Sequence, residues 1–289
     1  YDPVRGAFNR HDDGKKGHAF LEAGGILCES LAWLHTKTGE AEYRDLALRI
    51  ARYSFHHRHP KTGLVPNDPD GGRWDSLVCT TEIGLWARSL LRAADLLREP
   101  ELQRMAEEAL RAYLSAGWDN KSEQFYGQIA IETGYPVRPE TPGYWPRYHA
   151  NPWNNDQWPN HDYPLHLAES CLILYHQTGD PFFQEAVTRW IRALLKEAPH
   201  RGGPPTYAEH YGRALHFLLG VQPLLTDPSL AGEIEALADH AVSSLYSNGL
   251  FQGFPNTGLY EAVDGVGILF LALLRLQTGK PKPFEDRIF

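Results

Sequence analysis

Sulfur is scarce in this chain: three cysteines and one methionine stand among 289 residues. Cys28, Cys79 and Cys171 lie far apart inside apolar runs and have no CxxC spacing. That excludes a disulfide framework or a cysteine-built metal knuckle, and it predicts buried, reduced thiols. Long hydrophobic runs are missing too. None approaches the ~20 residues that a bilayer-spanning helix requires, so no membrane association is expected. No tract of Lys and Arg occurs, and 28 basic against 36 acidic residues give a formal charge of −8. A nucleic-acid partner is therefore not expected. Sustained alternation of polar and apolar residues is absent as well. The best strand candidates are "QFYGQIAIE" (124–132) and "GLFQGF" (249–254), both in connections. "DDGKKGHAF" (12–20) has glycine and lysine but not the order of a phosphate-binding loop, which removes a nucleotide site. No secretory signal is visible. The chain opens on Tyr1 rather than Met, which leaves room for a leader outside it and for a secreted or periplasmic location.

What the chain does have is a repeated punctuation mark. "HQTGDPFFQEA" (176–186) ends one apolar stretch and begins another. "HTKTGEAEYRDLA" (35–47) and "LQTGKPKPFED" (276–286) are near copies, and "LLREPELQRMAEEA" (96–109) and "LLTDPSLAGEIEA" (224–236) share the shape. Self-similarity of this kind signals stacked supersecondary units. The flanks show helical periodicity: Phe20, Leu27, Leu31 and Leu34 before the first mark, and Tyr43, Leu46, Ala47, Ile50 and Tyr53 after it. Leu102, Met105, Ala106, Ala109, Leu110 and Tyr113 form one apolar stripe. Further pairs are predicted over 77–97 with 102–113, 162–177 with 182–197 and 207–222 with 229–246, and a ninth helix over 261–277. Asp180, Asp227 and Glu99 suit helix starts, whereas Gly39, Gly179 and Gly279 suit helix ends. The mark is thus the tight turn of an αα-hairpin. The expectation is an all-α chain, one domain over residues 1–289, with about four and a half stacked hairpins curled into an (α/α) toroid or incomplete α/α barrel. A superhelical solenoid is the alternative.

The turns within hairpins are short, and the links between them (57–75, 118–160, 198–206 and 247–259) are mostly long. In an up-down array all long links fall at one end, and long loops in compact domains are usually functional. These links also carry five of the chain's 8 Trp and its most aromatic and His-rich stretches. The densest segment offers Trp145, Arg147, Tyr148, His149, Trp153, Asn154, Asn155, Trp158, His161 and Tyr163. Aromatic rings there can stack on the apolar faces of pyranose rings while Asn and Arg read hydroxyls or carboxylates. A second cluster brings Tyr207, His210, Tyr211 and Arg213 near a helix start, and a third brings Tyr260, Glu261 and Asp264. Asp75 reads as an N-cap, and Glu82, in an apolar stretch, either pairs or works. His56, His57 and His59 with Glu82 make a divalent metal conceivable but lack HExxH spacing, so no cofactor is expected.

Taken with the hairpins and the loop-rich end, "HRHPKTGLVPND" (57–68) and "YEAVDGVGILFLALLRLQTG" (260–279) resemble elements of the α/α-toroid carbohydrate-active enzymes. That group includes polysaccharide lyases, unsaturated-uronyl hydrolases and, more distantly, sugar epimerases. "WNNDQWPNHDY" (153–163) and "HYGRALHFLLGVQPL" (210–224) are similar to the Asn/His and Arg-helix motifs of alginate-lyase-like toroids. The resemblance implies that Asn155, His161, Arg213 and Tyr211 meet a uronate. It also implies more hairpins than are found, so a fragment, an incomplete ring or closure by a partner or a second copy is expected.

The leading functional expectation is β-elimination on a uronic-acid polysaccharide or oligosaccharide. Arg147, Asn154, Asn155 or Arg213 would neutralise the carboxylate. His149, His161, His210 or Tyr211 would remove the α-proton, and a Tyr would protonate the leaving oxygen. The alternative is a glycoside hydrolase with a carboxylate pair drawn from Asp75, Glu82, Asp156, Glu209, Glu261 and Asp264. A non-catalytic module that binds glycan or protein in the ring cleft is the third class.

Overall fold

The structure, a computed structural model, describes residues 2, 4–6, 20–68, 75–138, 147–153, 165–225, 227–258 and 265–279. Among these residues nine helices follow in order: α1 (Leu21–Thr38), α2 (Ala41–His56), α3 (Thr80–Leu97), α4 (Pro100–Ala116), α5 (Leu165–Thr178), α6 (Pro181–Lys196), α7 (Ala208–Val221), α8 (Ser229–Leu245) and α9 (Val266–Thr278). They form four hairpins and a ninth helix. The odd-numbered helices pack in series, α1 on α3, α3 on α5, α5 on α7 and α7 on α9, and build an inner wall. Helices α2, α4, α6 and α8 back onto their partners as an outer layer. This is the layout of an (α/α) toroid. No described helix is long and apolar enough to cross a membrane.

Local chemistry explains the boundaries. Pro100 and Pro181 open α4 and α6 where a missing N–H costs nothing. The Asp180 carboxylate accepts from the Phe182 amide at 2.8 Å and caps α6. Gly39, Gly179 and Gly279 all take the left-handed conformation that ends a helix. The stripe Leu102, Met105, Ala106, Ala109, Leu110 and Tyr113 is fully buried. One boundary differs from expectation. Asp75 does not cap α3, because residues 77–79 form strand β1 (Leu77–Cys79) and the cap position falls on Cys79.

Neighbouring inner helices touch backbone to backbone. A Cβ on Gly84 of α3 would lie 2.5 Å from the Leu167 nitrogen of α5, and one on Gly212 of α7 would lie 2.6 Å from the Leu269 nitrogen of α9. Ion pairs then tie outer parts of successive hairpins together: Arg44–Glu99 at 2.7 Å, Arg52–Glu101 at 2.5 Å, and Arg111–Asp180.

The odd helices all start at the end where the long links gather. The Leu21 amide donates to Asn67, Thr80 to Gly127 and Ala208 to Gly253. One short hairpin and one long-range pairing organise the 118–130 link: β2 (Trp118–Asp119) pairs with β3 (Gln124–Phe125), while β4 (Gln128–Ala130) pairs antiparallel with β1. The "QFYGQIAIE" stretch is thus two short strands, and "GLFQGF" supplies β6 (Leu250–Phe251), paired with β5 (Tyr246–Ser247).

Candidate active site

The inner wall is not wholly apolar. Glu169, on α5, is 1% exposed and lies 3.0 Å from Arg88 of α3, 3.6 Å from Arg213 of α7 and 3.5 Å from His166 one turn earlier. Arg213 also binds Glu209 at 2.8 Å, and Arg92, one turn beyond Arg88, reaches Glu29 of α1 at 3.2 Å. Three guanidiniums thus face three carboxylates across four inner helices. Burial alone would raise the Glu169 carboxyl, but Arg88, His166 and Arg213 overcome it and hold it at about 2. Glu169 is therefore a fixed anion near neutral pH and is unsuited to donate a proton.

The imidazoles around this network are neutral. Burial, then the Arg213 charge, pushes His166 down to about 4 despite the opposing pull of Glu169. Burial and Arg213 do the same to His210, and burial with Arg275 does so to His216. A neutral imidazole in a dry site can take a proton, and one with a cation nearby is kept neutral until the reaction demands otherwise.

His210 has the most informative surroundings. Tyr207 sits at the N-cap of α7, one turn before it, with ring centroids 6.0 Å apart. Arg213 follows one turn later, so the three line one flank of the helix at the loop end. The His210 Nδ1 lies 2.5 Å from the Thr206 hydroxyl, which fixes the ring. Tyr207 packs against Phe254 at 4.8 Å and, unlike His210, is only partly buried.

Other expected residues lie elsewhere. Tyr211 is two positions from Arg213, about 200° around the helix, and points into the outer layer. It is fully buried, its hydroxyl pairs with His240 of α8 at 2.9 Å, and burial pushes its pKa to about 12. The expected partnership of Tyr211 with Arg213 is corrected on that ground. Trp153 is also a core residue: it is 0% exposed and its indole donates to the Leu194 carbonyl at 2.7 Å. It packs near Tyr211 and offers no open face for a sugar. His149 belongs to the β2–β3 corner. Its Nε2 lies 3.0 Å from the Asp119 carboxylate and 3.2 Å from the Ser122 hydroxyl. One nitrogen serves both contacts, so this is not a relay in which a carboxylate orients one side of the ring and a hydroxyl uses the other. Tyr148 stacks edge-on with Tyr126 and lies under the Arg138 guanidinium at 4.3 Å, and Arg147 precedes it, partly buried. Trp145, Asn154, Asn155, Trp158, His161, Tyr163, Tyr260 and Asp264 lie outside the described residues.

The suggested metal trio does not converge. The His57 Nδ1 donates to the Tyr53 carbonyl at 2.7 Å, whereas His59 contacts Thr62. Among the described residues no group of three His, Cys, Asp or Glu is placed to hold a metal ion. Sequence reasoning missed Arg88, His166, Glu169 and His216. Their signal was present: "LHLAESC" carries His166 and Glu169 one turn apart in an apolar helix, and buried charges are rare unless paired.

The chain matches no protein-family model, and no curated protein matches it. Its fold does match solved structures of α/α-toroid carbohydrate-active enzymes. The unsaturated glucuronyl hydrolase of Bacillus sp. GL1, responsible for the degradation of glycosaminoglycan, aligns with a TM-score of 0.62 at 18% identity, covering 90% of this chain and 75% of that one. A D-mannose isomerase aligns at 0.64 with 13% identity, covering 95% of this chain and 74% of that one. The cellobiose 2-epimerase of Spirochaeta thermophila DSM 6192 aligns at 0.64 with 16% identity, covering 88% of this chain and 67% of that one. At such identities the likeness is one of fold.

Proposed function

We propose that the chain is a carbohydrate-active enzyme that works at the loop end of its inner helices on a uronic-acid saccharide, by β-elimination. The observation that carries this reading is the Tyr207, His210, Arg213 line on α7. His210, neutral and held by Thr206, is the base that takes the proton α to the carboxylate. Arg213 stabilises the charge that develops on that carboxylate, and the nearby Glu209 and Glu169 hold its guanidinium in position. Tyr207 replaces Tyr211 as the acid that protonates the leaving oxygen. The α proton moves to His210, the C–O bond to the leaving sugar breaks, its oxygen receives the Tyr207 proton, and a C=C bond conjugated to the carboxylate remains. The fold supports a saccharide as substrate, since the solved structures it resembles are those of sugar-processing enzymes.

The test is kinetic. His210→Ala should lower kcat on a cleaved uronic-acid substrate by about 10²- to 10⁴-fold, the usual range for a general base, with little change in KM. Tyr207→Phe should act in the same direction. Turnover unchanged in both would overturn the assignment.

A second reading has one observation in its favour. Glu209 and Glu169 both contact Arg213, so two carboxylates share the inner wall, and a glycoside hydrolase needs such a pair. Hydrolysis would raise reducing sugar without creating an unsaturated product, and Glu209→Gln would then abolish it.

A further inference from the structure

The loop after β6 is fastened to the start of α7. The Ala208 amide, the first of that helix, donates to the Gly253 carbonyl at 2.8 Å. The Gln252 amide donates to the Leu245 carbonyl at 2.8 Å, and the Oε1 of its buried side chain accepts from the Gly258 amide at 3.1 Å. The Thr257 hydroxyl donates to the Phe254 carbonyl at 2.8 Å. Asn256 and Gly258 take positive φ of 60° and 68°, a conformation that Asn and Gly tolerate best. These bonds hold one side chain, Phe254, against the α7 line. Its ring centre lies 4.8 Å from that of Tyr207, with the planes 57° apart. The Tyr207 ring in turn lies 6.0 Å from His210, at 86°. Phe254 and Tyr207 both keep part of their surface open.

We propose that Phe254 is the platform on which the leaving sugar stacks. This rests on the assignment of Tyr207 as the acid. A proton donor must come within about 3 Å of the oxygen it protonates. The leaving pyranose carries that oxygen, so it lies within one ring's breadth of Tyr207, which is where the Phe254 ring stands. The open face of an aromatic ring suits the apolar face of a pyranose. The stretch "QGFPNTG" (252–258) contains no charged side chain, so the sugar held there is recognised by shape and stacking and need carry no charge. The labour is then divided along the start of α7. Arg213 takes the uronate, His210 its α proton, and Phe254 the sugar attached to it.

Isothermal titration of the full chain carrying His210→Ala, which lacks the base and so binds without turnover, tests this. The probes are tetrasaccharides of galacturonate, of mannuronate and of the glucuronate–N-acetylglucosamine repeat, and at least one should bind. Adding Phe254→Leu, which keeps the apolar bulk but not the flat face, should weaken that binding by about tenfold. Adding Phe254→Tyr, which keeps the face, should hold it within about threefold. Unchanged melting curves of these variants would show that the fold is kept. With His210 in place, Phe254→Leu should raise KM by a similar factor and leave kcat within about twofold, the mark of a contact made alike in ground and transition states. Equal affinity of Phe254→Leu and its parent, a loss that Phe254→Tyr shares, no binding by any tetrasaccharide, or a fall in kcat at unchanged KM would each overturn the proposal. The last would make Phe254 a residue that only orients Tyr207. Failure of the elimination itself is read separately: the wild type would give no unsaturated product while binding still depended on Phe254.

Discussion

Glu169 is the residue on which the inner wall depends. It is buried and touches Arg88, Arg213 and His166. Removing one member of a buried ion network leaves its partners uncompensated, at a cost of about 3–5 kcal/mol. Glu169→Ala should therefore lower the unfolding free energy by about that amount in urea denaturation, and a loss within error would contradict the network. Tyr211→Phe makes the opposite prediction for activity. Its hydroxyl serves His240 in the outer layer, so turnover should stay within about twofold while stability falls by about 1 kcal/mol, the usual worth of one hydrogen bond. A large loss of kcat would restore Tyr211 to the site. At this scale sequence and structure agree in part. The grouping of Tyr207, His210 and Arg213 at the start of α7 was legible because polar residues at i, i+3 spacing near a helix start stand out. Tyr211 was misplaced because its chemistry suited an acid, although its position relative to Arg213 puts the two on opposite faces. Trp153 was misread for a related reason: an aromatic in a loop resembles a sugar platform until its indole finds a buried carbonyl.

The hairpin is the unit at the scale of elements. Its turns were legible because Gly, Pro and Asp act through backbone geometry alone, and Gly39, Gly179 and Asp180 do what their chemistry dictates. The start of α3 was not legible. Pairing of Leu77–Cys79 with Gln128–Ala130 joins residues about fifty positions apart, and no local pattern signals it. The close approach of α3 to α5 was hidden for the same reason. Gly84→Ala should destabilise the chain by about 1–3 kcal/mol, the range for overpacking, because the added Cβ meets backbone that cannot rotate away. An equal or higher denaturation midpoint for Gly84→Ala would show that the inner helices separate freely.

The whole molecule should be acid-labile in a defined window. His166, His210 and His216 are each held at about 4 in the folded chain, below the ~6.5 of an exposed imidazole. Depressed values mean that the unfolded chain binds these protons first. Unfolding therefore takes up protons between pH 6.5 and 4, and the stability present above that window is lost as pH falls through it. Glu169, held at about 2, adds a loss of the same sign below the ~4.5 of a free glutamate. The urea midpoint should fall steadily from pH 7 to pH 5. A flat profile would mean that the three imidazoles are hydrated. The same neutrality predicts that the acid limb of kcat/KM lies well below 6.5.

The ring of hairpins was legible from the repeat, whereas the charged inner wall was not, because it is assembled from single residues on separate helices. The central claim is that this wall, with the α7 line, eliminates across a uronic-acid linkage. Ultraviolet absorbance, followed while the protein is mixed with a panel of uronic-acid polysaccharides, tests it most directly. The account predicts a rising signal with at least one substrate, from the new C=C bond conjugated to the carboxylate, and its loss in His210→Ala. A flat signal across the panel, with reducing sugar released in the same mixtures, would contradict elimination and establish the hydrolase.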